Sequence, residues 1–330
     1  MLCRTFLAAV TCGCIAIFAA DLLASHAEQD FVQYGPSPHV RAVLDLVYAR
    51  YGERSLLLDL YLPTNPEKHA LPGVIVVRGG GWMVNDRKRF AHIASALAER
   101  GVAAASIEYR SADEAAFPGA VQDVKAAVRW MRANSETYGI DPEAIGTLGG
   151  SSGAHMALLA GLTTGLPEFE GNGGHPDTSS SIQGIVAMAT PADLLTLSPD
   201  NQQTVAKFLH ATASEDRRKW QWASPINHVA RNGPPVLLLH GADDESVPTS
   251  QSTDFARRYR EVGARVELHI LPGAPHAFWN YRPWFSDAMD RAASFLLRMR
   301  SRLSSSLKPN EPKWNACPLP RKLFNPQLLI

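Results

Sequence analysis

Residues 145–162 read IGTLGGSSGAHMALLAGL. An apolar run stops on Gly149 and Gly150, presents Ser151 and Ser152, takes Gly153 and turns at once into an Ala/Leu-rich stretch. One reading is a loose turn without chemistry. The other is a serine held at a sharp strand-to-helix corner, with its hydroxyl forced into the open. Such a corner needs small neighbours, because the central residue is strained and the flanking positions crowd both strand and helix. Ser151 centres a G-x-S-x-G frame, whereas Ser152 fits less well because Ala154 would stand where the last glycine belongs. Chance matches are common in Gly/Ser-rich loops, so the surrounding chain has to decide.

Upstream, AVLDLVYA and LLLDLYLP flank RYGER and read as a hairpin. GVIVVRGGG is a β-branched strand ending in glycines, and VAAASIEY is a further strand. Between them, residues 87–100 repeat apolar side chains at helical spacing and stop at Gly101; residues 120–138 read as one long amphipathic helix. Downstream come a helix from Ser152, strands 182–189 and 236–240, helix 249–261, strand 266–271 and helix 284–299. Strands alternating with helices enforce parallel pairing. The expected fold is α/β: a mostly parallel eight-stranded sheet, entered by an antiparallel hairpin, with helices on both faces. Residues 191–235 break the rhythm with one or two short helices and read as a small cap over the strand ends, so residues 28–300 form one domain. From 301 to 330 the chain is rich in Ser, Pro and Lys without periodicity and reads as a disordered tail.

The 330 residues are 45% hydrophobic, enough for a large core. Lys plus Arg and Asp plus Glu balance at 32 each, so no summed field draws the chain to nucleic acid or an anionic membrane. A small uncharged ligand is the better expectation. Arg4, an apolar run over 6–20 and small residues near Ala27 have the build of a secretory leader cleaved after Ala27. That run is shorter than the roughly 20 residues of a membrane span, and its removal implies a secreted or periplasmic protein. Three of the four cysteines would leave with it, and Cys317 alone has no partner for a disulfide.

In such sheets ligands sit at the carboxyl ends of the strands. A serine there needs a base to take its proton and a carboxylate to orient that base. The loop after the next-to-last strand reads HGADDESVP and the loop after the last reads PGAPHAF, giving the order Ser, Asp or Glu, His. His276 is the base in this reading. His269 alternates with strand residues, His240 closes a strand, His155 lies one turn beyond Ser151 and His228 belongs to the cap; all four are assigned structural or supporting roles. Gly79-Gly80-Gly81-Trp82 follows the third strand, where backbone amides can approach a developing oxyanion. Phosphate binding is disfavoured, since neither a following G-K-[ST] nor G-x-G-x-x-G is present. No H-E-x-x-H or paired-cysteine cluster is visible, and no metal or cofactor is required.

Taken together, LDLYLP, RGGGW, IEYR, the segment FPGAVQDVKAAVRWMRANSETYGIDPEAIGTLGGSSGAH, PPVLLLHGADDESVP and LPGAPHAF occur in one order over about residues 45–299. In this the chain resembles the α/β-hydrolase esterases related to hormone-sensitive lipase, and more closely the bacterial branch with acetyl xylan and feruloyl esterases. The resemblance implies Ser151 as nucleophile, Asp244 as orienting acid in preference to Asp243 and Glu245, and His276 as general base. It also implies the backbone amides of Gly80, Gly81 and Ser152 as oxyanion donors. Trp82, Phe278 and Trp279 flank the expected site and are candidates for substrate walls. The chain departs from the family at Arg78, where histidine is usual, and at Ser152 and Ala154, where Ala and Gly are usual. The expected activity is hydrolysis of a short-chain or carbohydrate-linked ester. A peptidase of the same fold and a non-catalytic binding protein are the rival readings.

Overall fold

Alternation along β3 (Leu71–Val77) shows why the chain layers as it does. Val74 and Val76 point into one core and Ile75 and Val77 into the other, and all four are buried. A strand apolar on both faces can only lie between two helical layers. The computed structural model describes residues 31–32, 35, 37–65, 70–84 and 86–306. The expected leader, residues 1–27, and the expected tail from residue 307, with Cys317, lie outside the described residues.

β1 (Val40–Tyr51) and β2 (Arg54–Pro63) form the antiparallel hairpin. β4 (Ala103–Ile107), β5 (Ile140–Gly150), β6 (Ile185–Met188), β7 (Val236–Gly241) and β8 (Val266–Leu271) complete an eight-stranded sheet in the order β1-β2-β4-β3-β5-β6-β7-β8. From β4 onward in that order every pairing is parallel. This is the architecture expected from the sequence.

The helices are α1 (Ala91–Glu99), α2 (Gly119–Ala133), α3 (Ser135–Tyr138), α4 (Ser152–Leu162), α5 (Pro167–Glu170), α6 (Pro199–Leu209), α7 (Arg217–Trp222), α8 (Ser250–Glu261) and α9 (Arg282–Ser306). One face of the sheet is covered by α1 and α9, through Ile93, Leu97, Met289 and Leu296. The other is covered by α2, α4 and α8, through Val124, Val128, Met156, Leu159 and Phe255.

Several boundaries differ from expectation for local reasons. The single helix expected over 120–138 ends at Ala133, because Asn134 leaves helical geometry and its side-chain amide donates to the Trp130 carbonyl (2.8 Å), after which α3 runs for one turn. The helix expected at Arg87 opens as a 3-10 turn over Arg87–Phe90, capped by the Asp86 side chain. The strand expected over 182–189 narrows to β6, α5 was not foreseen, and the last helix runs on to Ser306, past the expected start of the tail at 301. Among the described residues no helix is long and apolar enough to cross a membrane, and no group of three or more His, Cys, Asp or Glu side chains is placed to hold a metal.

Candidate active site

The strand-to-helix corner is built as the quoted stretch requires. β5 ends at Gly150, α4 begins at Ser152, and Ser151 between them sits at φ 56°, ψ −127°. A side-chain-bearing residue at positive φ is strained, so the surroundings must hold it there. They do so by contact: a Cβ at Gly149 would lie 2.3 Å from the Gly153 carbonyl oxygen, and one at Gly153 would lie 2.1 Å from the Val77 carbonyl oxygen. Both positions are therefore glycine for steric reasons. The Ser151 amide also donates to the Met188 carbonyl at 2.9 Å, tying the corner to the end of β6.

The loops after β7 and β8 end at the same rim. His276 Nε2 lies 3.0 Å from Ser151 Oγ, and His276 Nδ1 lies 2.8 Å from Asp244 Oδ2. The sequence order thus becomes one hydrogen-bonded line across three loops. The Asp244 side chain is fully buried, whereas that of His276 is 24% exposed and open to the rim. Burial alone would raise the Asp244 pKa, but donors from His240, His276 and the Val247 amide outweigh it and hold the carboxyl well below its ordinary value. Oδ1 accepts from the amides of Ser246 (2.9 Å) and Val247 (2.8 Å). Asp243 and Glu245 stay outside this arrangement, so the geometry selects Asp244.

Gly81, Trp82, Ser151 and Ser152 line a cavity of about 50 Å³, closed from the cap side by Pro191, Leu197, Asn201 and Thr204 and from the acid loop by Val247. The Ser152 amide heads α4, and Gly81 (φ 60°) brings its backbone against the cap, where an added Cβ would lie 3.0 Å from Thr204 Cγ2. Gly80 stands one residue back, with φ 138°.

Sequence reasoning did not foresee how this glycine loop is held. Ser152 Oγ accepts from the Trp82 amide at 3.2 Å, and Trp82 Nε1 donates to His155 Nδ1 at 3.1 Å. His155 Nε2 in turn donates to the Ala223 carbonyl in the cap at 2.7 Å. Desolvation pushes the His155 pKa down to about 4, so the ring is neutral and can accept from the indole. Phe208 of α6 stacks on the Trp82 ring, with centroids 4.8 Å apart. Arg78, in the usual histidine position, makes a long contact to the Val84 carbonyl (3.4 Å), while Tyr109 holds that same carbonyl at 2.7 Å.

Of the three aromatics expected as substrate walls, only Trp82 lines the cavity. Phe278 is fully buried in the core beneath the β8 loop, which corrects that expectation. Trp279 is also buried; it backs His276 edge-on at 5.9 Å and presses on Gly150 from behind. Adjacent residues on a one-turn 3-10 segment face different neighbours, and sequence position alone does not say which. His269 sits on β8 beside Arg291 (3.2 Å), and His228 is bonded within the cap to the Trp222 carbonyl (2.7 Å), as expected of structural residues.

Comparison with known proteins places this geometry in context. The BD-FAE family model matches residues 58–259, and the model of the dienelactone hydrolase family matches residues 218–306. The esterase LipQ of Mycobacterium tuberculosis is 33% identical over 253 residues, covering 74% of this chain and 59% of LipQ. The chain thus spans less than two thirds of that relative. Among solved structures, a truncated carbohydrate esterase from gut microbiota superposes with a TM-score of 0.73 at 30% identity, over 81% of this chain and all of its own. An acetyl ester-xyloside bifunctional hydrolase from Caldicellulosiruptor lactoaceticus gives 0.63 at 26%, over 77% of this chain and 90% of its own. The fold is the α/β-hydrolase fold.

Proposed function

The chain belongs to the BD-FAE family, and from that premise we propose that it is a serine hydrolase of carboxylic esters with a short acyl group, including esters carried on carbohydrate. One observation carries the reading: the unbroken line from Ser151 Oγ through His276 to Asp244, with links of 3.0 and 2.8 Å.

In the proposed reaction Ser151 Oγ attacks the ester carbonyl while His276 Nε2 takes its proton, and Asp244 stabilises the resulting imidazolium. The carbonyl oxygen, now negative, lies against the amides of Ser152 and the Gly80-Gly81 turn. Preorganised donors of this kind are each worth roughly a hundred- to a thousandfold. His276 then gives its proton to the departing alcohol, leaving an acyl group on Ser151. Water attacks that acyl group with His276 again as base, the acid leaves, and Ser151 recovers its proton.

Size supports a short acyl group. The cavity beside Ser151 is small, about 50 Å³, and Leu197 and Thr204 bound it on the cap side, so a long acyl chain would run into the cap. Relatives named as an esterase, a carbohydrate esterase and an acetyl ester-xyloside hydrolase are consistent with this range. Export is part of the proposal and rests on the leader-like composition of residues 1–27; the N-terminal sequence of the exported protein, expected to begin at Glu28, tests it. For the activity itself, Ser151→Ala is expected to lower kcat on p-nitrophenyl acetate by roughly 10⁴–10⁶-fold with the fold intact. Unchanged hydrolysis would refute the proposal.

A further inference from the structure

The acid loop contains a second histidine that the reaction above does not use. His240, at the end of β7, is completely buried, and both of its ring nitrogens are engaged. Nε2 lies 3.2 Å from Asp244 Oδ2 and 2.9 Å from the Val247 carbonyl oxygen. Nδ1 lies 2.7 Å from Ser252 Oγ, in the first turn of α8. A carboxylate and a carbonyl can only accept, so Nε2 must carry the hydrogen. With Ser252 donating its hydroxyl proton to Nδ1, the Nε2 hydrogen points to the Val247 carbonyl with the Asp244 carboxylate alongside.

We propose that His240 is a positioning residue for the acid of the triad, with Ser252 setting its tautomer, so that the working unit runs Ser252, His240, Asp244, His276, Ser151. The proposal rests on the serine-hydrolase reading above. Its physical basis is the saturation of the Asp244 carboxylate. Oδ2 accepts from His276 at 2.8 Å and has His240 Nε2 beside it at 3.2 Å, and Oδ1 accepts from two backbone amides. An ionised carboxylate offers about four acceptor sites, so no rotation of the Asp244 side chain is free. His240 also clasps the loop shut, since the carbonyl it holds belongs to Val247 while Val247 itself lines the cavity.

His240 and His276 are the titratable groups that face Asp244 among the described residues. Asp244 in turn is the charged group facing His276. The donor from His240 partly neutralises the negative charge that His276 sees. Removing it leaves a stronger anion beside the His276 ring, which favours imidazolium. The acid limb of the kcat/KM profile must therefore move to higher pH, and the loosened carboxylate must orient His276 less well. A residue that merely filled space would lower the folded fraction without moving that limb.

The test uses the whole protein, with p-nitrophenyl acetate as substrate and fluorophosphonate titration to count competent sites. Per titrated site, His240→Leu is expected to lower kcat/KM about 10–100-fold and to move the acid limb to higher pH. His240→Gln, which restores an N–H donor, is expected to recover most of both effects. Ser252→Ala touches no member of the triad and is expected to move the limb in the same direction by a smaller amount. It keeps the proposal falsifiable if the Leu variant does not fold. A profile superimposable on the wild type in a folded His240→Leu protein, or in Ser252→Ala if that alone folds, overturns the proposal. Absence of ester hydrolysis by the wild type would instead refute the serine-hydrolase reading.

Discussion

Ser151 owes its exposure to what cannot fit around it. Gly149 and Gly153, two residues to either side, must be glycine because the carbonyl groups of Gly153 and Val77 occupy the space a methyl would need. Ser152 has a separate duty, since its buried hydroxyl accepts from the Trp82 amide and couples the elbow to the glycine loop. Arg78 cannot supply that coupling with a single long contact. Ser152→Ala is therefore expected to reduce kcat on p-nitrophenyl acetate about 3–30-fold with little change in KM, as for loss of an interaction that matters in the transition state. Steady-state kinetics check it, and an unaltered kcat would show that the contacts through His155, Tyr109 and Phe208 hold the loop without Ser152. At this scale Ser151, Asp244 and His276 were legible because each is chained to a strand end, and strand ends of a parallel sheet share one rim. Phe278 and Trp279 were not, because their facing is decided by how the β8 loop packs on Gly150 and the core.

Elements carry the specificity. α6 brings Asn201 and Thr204 against the glycine loop and stacks Phe208 on Trp82, and Leu197 just before it closes one end of the cavity. The cap was legible as an interruption in the strand–helix rhythm with one or two short helices, and α6 and α7 are the helices found in it. Its inward face was not legible, because short amphipathic helices show which residues are apolar but not what they cover. Leu197→Ala removes a wall that is 5% exposed, so the butyrate-to-acetate rate ratio is expected to rise several-fold at a stability cost of about 2–3 kcal/mol. A panel of p-nitrophenyl esters reads the ratio and thermal unfolding reads the cost; a ratio that stays at the wild-type value would place the acyl group elsewhere. The break at Asn134 illustrates the opposite limit. Apolar periodicity continues through it, and a side-chain amide competing for the Trp130 carbonyl ends the helix all the same.

For the whole molecule, the sheet fixes the site by bringing loops up to 125 residues apart to one edge, and burial then links folding to pH. His155 is neutral in the fold, with its pKa lowered to about 4 by desolvation. An unfolded histidine takes up its proton near pH 6.5. Its contribution is therefore complete above pH 6.5 and is lost as pH falls towards 4, amounting to roughly 3 kcal/mol at most. Asp244, whose carboxyl is depressed, adds a contribution that is complete above about pH 5 and shrinks below it. Denaturant midpoints at pH 7.5, 6 and 5 are expected to fall steadily, and His155→Gln is expected to flatten that slope between pH 6.5 and 5. An unaltered slope in the variant would locate the linkage in another group. The convergence of the three rim loops is tested most directly by peptide mass spectrometry after treatment with a fluorophosphonate. A single adduct on the peptide containing Ser151, absent in His276→Ala, is predicted; no adduct, or one on another residue in a protein that hydrolyses p-nitrophenyl acetate, would contradict the account.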